Sequence, residues 1–164
     1  METITLKPKT PTESRVESRY LVMPQHANDV GIAFGGTIMS WIDMVAAMTA
    51  QKHCEHEVVT VSTDSINFLA PVRIGDHVVL TALVTYVGRT SMEISVRVVK
   101  ENPCRRESLL ATTAFLTMVG IDDQKRPIPI PPLRPETPEE IQRQENGRMR
   151  VLARKELLAK LKDH

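Results

Sequence analysis

Residues 37–50 (TIMSWIDMVAAMTA) are fourteen residues in a row with one charge among them, Asp43. A helix that is apolar all round is stable only where other elements cover it. The chain downstream offers the cover. After a turn-like HCEHE, four strand candidates follow at residues 58–68, 77–87, 90–100 and 107–119, rich in Val, Ile and Thr. A short strand candidate at residues 17–23 stops at Pro24. The order is strand, apolar helix, then consecutive hairpins, which makes the sheet antiparallel. The expected class is α+β, an antiparallel five-stranded sheet wrapped around one long central helix at residues 36–53, which is covered on all sides.

The hairpins are legible in detail. Met92, Ile94, Val96 and Val98 alternate with Glu93, Ser95 and Arg97, so one face of that strand is apolar. Gly88-Arg89 is expected as a two-residue type II′ turn, with Gly supplying a positive φ. Residues 1–14, with Pro8 and Pro11, are expected as a mobile arm ahead of a domain spanning residues 15–126. Residues 127–138 hold six prolines and should run extended over the surface. Residues 139–162 read as a charged helix whose Leu157, Leu158 and Leu161 pack on something. Together residues 127–164 form a C-terminal extension.

Composition removes several function classes. With 21 basic and 20 acidic residues the net charge is +1, so nothing draws the chain to nucleic acid or a membrane surface. An aromatic fraction of 4% argues against a base-stacking platform. No apolar run is long enough to span a bilayer, and the N-terminus lacks a charged-then-apolar signal. Two cysteines, Cys54 and Cys104, make no disulfide framework. A cytoplasmic protein is expected.

Asp43 is the chemical anomaly, because a carboxylate in an apolar helix needs a partner or a function. Upstream, residues 28–36 (NDVGIAFGG) end in Gly35-Gly36 at the helix start. Free amides and the helix dipole favour an anion there, and glycines allow a ligand close to the backbone. Asn28 is uncharged and cannot be a base, but it can hold a water or a carbonyl. Asp43 is then the general base or the nucleophile of a hydrolysis in which the Gly35 or Gly36 amide meets an oxyanion. The bland alternative is a structural Asp43 bonded to a strand hydroxyl such as Thr60 or Ser62.

The pattern N-x-x-G-x-x-F-G-G-x-x-x-x-x-x-D (Asn28, Gly31, Phe34, Gly35, Gly36, Asp43), then VVTVSTDSINFLAPVRIGD and GRTSMEI, resembles the hotdog-fold acyl-CoA thioesterases, nearest the brain acyl-CoA hydrolase or YciA type. The resemblance covers residues 17–138 and implies hydrolysis of fatty acyl-CoA to free acid and coenzyme A. It implies no metal and no cofactor, coenzyme A being part of substrate and product. It also implies a homo-oligomer, dimers joined sheet edge to sheet edge and assembled as a hexamer. Asp43 and Asn28 then come from different subunits. Arg89, Thr90 and Ser91, with Thr60, are the residues it points to for binding substrate and coenzyme A.

Other features read as ordinary. His53-Cys54-x-His56 lacks the second ligand cluster that zinc needs. His26 is a loop residue, and Trp41, Met39, Met44 and Met48 are core packing. Arg105, Arg106, Arg148, Arg150, Arg154 and Lys155 are expected to be solvated. Two other functions fit a sheet of this kind. One is a hydratase or dehydratase of enoyl thioesters, for which no helix His follows Asp43 at a suitable spacing. The other is a non-catalytic acyl-CoA sensor, for which the chain shows no DNA-binding module.

Overall fold

The computed structural model describes residues 6–161. In chain order its elements are α1 (Pro11–Ser14), β1 (Val16–Leu21), α2 (Gly35–Cys54), β2 (Glu57–Thr63), β3 (Asn67–Phe68), β4 (His77–Val87), β5 (Ser91–Asn102), β6 (Glu107–Ile121) and α3 (Pro138–Leu161). The sheet is antiparallel in the order β1-β4-β5-β6-β2, and β3 adds a short rung on β6. The sheet curls around α2, as the sequence predicts. The strand expected at residues 58–68 is broken: Asp64 N still bonds Phe115 O, but Ser65 and Ile66 leave the ladder before Asn67 rejoins β6.

Helix α2 buries one stripe at helical spacing, Ile38, Trp41, Ile42, Val45, Ala46, Thr49, Ala50 and His53. These side chains meet the inward rows of the sheet, where Leu80, Ala82 and Val84 stand opposite Val98, Val96 and Ile94. Tyr20 stacks on Trp41 with ring centroids 4.5 Å apart. The expectation that α2 is covered all round is corrected here. Met39, Met44 and Met48 are 47%, 46% and 41% exposed, so in the single chain one face of α2 is apolar and bare.

The β4–β5 turn also differs from expectation. A bulge at Thr85 shifts the register, Val87 faces Met92, and Gly88 N donates to Ser91 O at 2.8 Å. The tip is therefore Arg89-Thr90, and Gly88 does not take a positive φ. Thr85 and Glu93 are buried on the outer face.

They are buried by α3, which lies across that face and approaches it most closely at Gly147. A Cβ there would stand 2.9 Å from Glu93 Oε1 and 2.9 Å from Tyr86 Cβ. Arg150 binds Glu93 through two bonds of 2.8 and 3.1 Å and stacks over Phe115, while Arg154 reaches Asp64 at 3.1 Å. Arg150 and Arg154 are thus docking residues rather than solvated ones. A buried Glu93 requires such a partner. Leu157, Leu158 and Leu161, expected to pack on something, are more than half exposed in the single chain, and residue 162 of the expected helix lies outside the described residues.

The N-terminal segment is tied down from Lys9 onward, contrary to the mobile arm expected; residues 1–5 lie outside the described residues. Lys9 N donates to Pro132 O, and its ammonium caps the end of α2 at Lys52 O. Ser14 is fully buried against His53 Nδ1 at 2.8 Å, and His53 Nε2 meets Pro131 O at 2.9 Å. A carbonyl can only accept, so Nε2 carries the proton and Nδ1 accepts from Ser14. Burial pushes the His53 imidazole below its ordinary pKa, opposed by the Pro131 carbonyl. The proline-rich stretch runs extended and buries Ile130. No described helix is long and apolar enough to cross a membrane.

Candidate active site

The chain between β1 and α2 is a closed loop. Ala27 bridges Ala33, and Phe34 N donates to His26 O at 2.8 Å. Inside it the Asn28 side chain folds back, its Oδ1 accepting from Val30 N and Ile32 N, each at 3.1 Å. Two converging N–H donors fix which end of the amide is oxygen. The Asn28 NH2 therefore faces outward and makes no hydrogen bond among the described residues. Gly31 takes φ +74° to let the loop turn back.

The loop rests on residues 71–76. Ala33 N donates to Val72 O at 2.7 Å, Ile32 bridges Arg73, and Ile74 N donates to Gly31 O at 3.2 Å. His26 lies in the loop as expected and packs there in an edge-to-face arrangement with Trp41, its Nδ1 accepting from Met23 N.

Helix α2 starts at Gly35 with no side-chain cap, so its first amides stay open to an anion. A Cβ at Gly35 would come within 3.4 Å of the Phe68 ring, and one at Gly36 would meet the Phe34 ring at 2.7 Å. Both rings are exposed and frame the helix start.

Two turns further on, Asp43 lies on the bare face of α2. It is exposed in the single chain, not buried as the sequence suggested, because nothing in this chain covers that face. Thr60 Oγ1 donates to Asp43 Oδ1 at 2.7 Å, and Asp43 Oδ2 has no partner among the described residues. Thr60, Met118 and Met92 are successive partners across β2, β6 and β5. At about 4.8 Å per strand, the Arg89-Thr90-Ser91 tip lies at the same end of the sheet as Thr60, roughly 10 Å away.

Within one chain, then, Asp43 and Thr60 are together, and Gly35 and Gly36 begin the helix that carries Asp43. No bond links Asn28 or the hairpin tip to Asp43. Among the described residues no cluster of His, Cys, Asp or Glu could hold a metal. Burial raises the pKa of the Cys54 thiol, and its sulfur lies 3.5 Å from His56 O.

The thioesterase superfamily matches residues 30–104. The uncharacterized acyl-CoA thioester hydrolase YkhA of Bacillus subtilis is 45% identical over 129 residues, 79% of this chain and 75% of that protein. An apo hexameric acyl-CoA thioesterase superposes with a TM-score of 0.91 at 40% identity, over 94% of this chain and 99% of that one. The Staphylococcus aureus acyl-CoA hydrolase, solved with butyryl coenzyme A and coenzyme A, superposes at 0.88 with 37% identity over 94% of each chain. That protein has also been solved as its Asn28Ala, Asp43Ala and Thr60Ala variants, the same residue types and numbers as here. The chain belongs to the thioesterase superfamily, among the acyl-CoA thioester hydrolases, and has the hotdog fold.

Proposed function

We propose that this chain hydrolyses fatty acyl-CoA at a site completed by a second copy of itself, with Asp43 activating the attack. The observation that carries the reading is the Thr60–Asp43 pair on a face that no part of the chain covers. Thr60 holds one carboxylate oxygen, and the other is free to take a proton from water or to attack the thioester. The outward Asn28 NH2 and the Gly35 and Gly36 amides are donors suited to a carbonyl oxygen becoming an oxyanion. Asn28 Oδ1 is already engaged twice, which favours the carbonyl over the water as its ligand. Free acid and coenzyme A leave, and no cofactor takes part.

The apolar surface supports the second copy. Phe34, Met39, Met44, Phe68 and Leu69 are each at least 46% exposed around Asp43, and the free edge strand β2 exposes Val59 and Val61. A monomer seldom leaves such a patch in water. Edge-to-edge pairing through β2 gives its unpaired backbone groups partners and closes the α2 face. The Asn28 loop of one copy then faces Asp43 of the other. Hexameric relatives are in keeping with dimers assembled further. The Met side chains of α2 would line the acyl channel. Arg89, Thr90 and Ser91 would hold the coenzyme A arm, a role supported by their lying at the same end of the sheet as Thr60.

Free-thiol release across acetyl- to stearoyl-CoA tests the activity. The reading expects turnover that rises with acyl length until the channel is filled. Tight binding of acyl-CoA without thiol release would replace it with the sensor reading.

A further inference from the structure

Lys100 continues the core-facing row of β5 after Met92, Ile94, Val96 and Val98, where another apolar residue would fit. It is 8% exposed, and Asp76 is 4% exposed. Lys100 Nζ donates to Pro71 O at 2.9 Å and lies 4.0 Å from Asp76 Oδ2. Asp76 accepts from Arg73 N at 2.8 Å and from Asn102 Nδ2 at 3.1 Å. Burying two charges this way is no cheap route to stability, since apolar residues of similar size do as well. The β4–β5 ladder does not depend on them, because its backbone pairs continue beyond Lys100 to Glu101.

Every one of these bonds ends on residues 71–76. The other side of that segment holds residues 31–33, and Ile32 N is one of the two amides that fix Asn28 Oδ1. Lys100 and Asp76 thus hold one side of the 71–76 backbone, Val72 O and Ile74 N of the same segment hold Ala33 N and Gly31 O, and Ile32 between them donates to the Asn28 amide.

We propose that Lys100 and Asp76 are positioning residues that set the Asn28 amide for the thioester, acting through the 71–76 segment. The proposal rests on Asn28 contacting the thioester. Displacing a catalytic donor by even one ångström lowers turnover, and this pair sets the height of the loop under it. Coenzyme A lies outside the path, so the effect belongs on kcat and not on KM.

The test is steady-state kinetics on Lys100→Met, Lys100→Arg and Asp76→Asn, each checked for an intact fold by circular dichroism, with Lys100→Met also built on Asn28→Ala. The expected result is a kcat loss of about tenfold for Lys100→Met at unchanged KM. Lys100→Arg should recover most of it, and Asp76→Asn should show a smaller loss of the same kind. On the Asn28→Ala background, Lys100→Met should lower kcat no further, because both act through one group. Independent losses that multiply in the double variant, or wild-type kcat in folded Lys100→Met, would overturn the proposal and leave the site reading standing. Wild-type kcat in Asn28→Ala would overturn the site reading and the proposal with it.

Discussion

Thr60 Oγ1 donates to Asp43 Oδ1 at 2.7 Å, joining edge strand β2 to the bare face of α2. Thr60 has one hydroxyl proton, and the nearby Met118 sulfur, 3.2 Å away, is the weaker acceptor. The bond therefore leaves Asp43 Oδ2 as the open carboxylate oxygen.

Thr60→Ala should free the Asp43 rotamer without removing the base. We expect kcat to fall about tenfold, against roughly a hundredfold or more for Asp43→Ala, the usual cost of losing a general base or nucleophile. Thr60→Ser keeps the hydroxyl and should stay close to wild type. Initial rates of thiol release measure all three.

Asn28→Asp separates a donor role from a water-holding role. Asp retains an oxygen for the Val30 and Ile32 amides, so the loop keeps its shape, but the outward donor becomes an acceptor. The variant should fold as wild type and lose as much kcat as Asn28→Ala. Activity retained in Asn28→Asp would assign Asn28 to the water.

His53 makes stability pH-dependent in one direction. Its folded-state pKa is depressed by burial, so the neutral ring is favoured on folding. Its contribution is fully present above the ordinary histidine value of about 6.5 and falls away as the pH drops toward the depressed folded value. Melting temperature should decline across that range, and His53→Gln should flatten the decline while lowering stability at neutral pH. Differential scanning calorimetry at pH 8 and pH 5.5 checks both.

Gly147→Ala should loosen α3. The added methyl would stand 2.9 Å from Glu93 Oε1 and Tyr86 Cβ, where the sheet cannot retreat without breaking the Arg150 pair. Overpacking of this kind costs about 1–3 kcal/mol. Denaturant melts should show it, and proteolysis should cut within α3 before the sheet.

Much of the fold was legible because β-branched runs, turns and the apolar helix all point to one arrangement. Asp43, Asn28 and Gly35-Gly36 stood out as a candidate set through the lone carboxylate, the glycine-marked helix start and the resemblance, and within one chain only Gly35-Gly36 and Asp43 share an element. The exposure of Met39, Met44 and Asp43 was not, because hydrophobicity tells that a face is to be covered but not by which chain. Glu93 looked like an outward strand residue, and only α3 crossing over it reveals the Arg150 pair. Gly88 followed the usual turn rule, but the Thr85 bulge moved the register by one residue. Lys100 had a signal, a lysine in step with an apolar row, that strand alternation alone reads as the end of the strand.

The shared site is the centre of the account, and subunit mixing tests it most directly. Asp43→Ala and Asn28→Ala proteins, each with most of its kcat lost, are dissociated, mixed and reassociated, and thiol release is followed. In a mixed dimer one interface site receives both substitutions and the other receives neither. Activity should therefore reappear, rising with the fraction of mixed dimers. If both residues served one chain's own site, every site would stay damaged, and no activity above the separate variants would contradict the account.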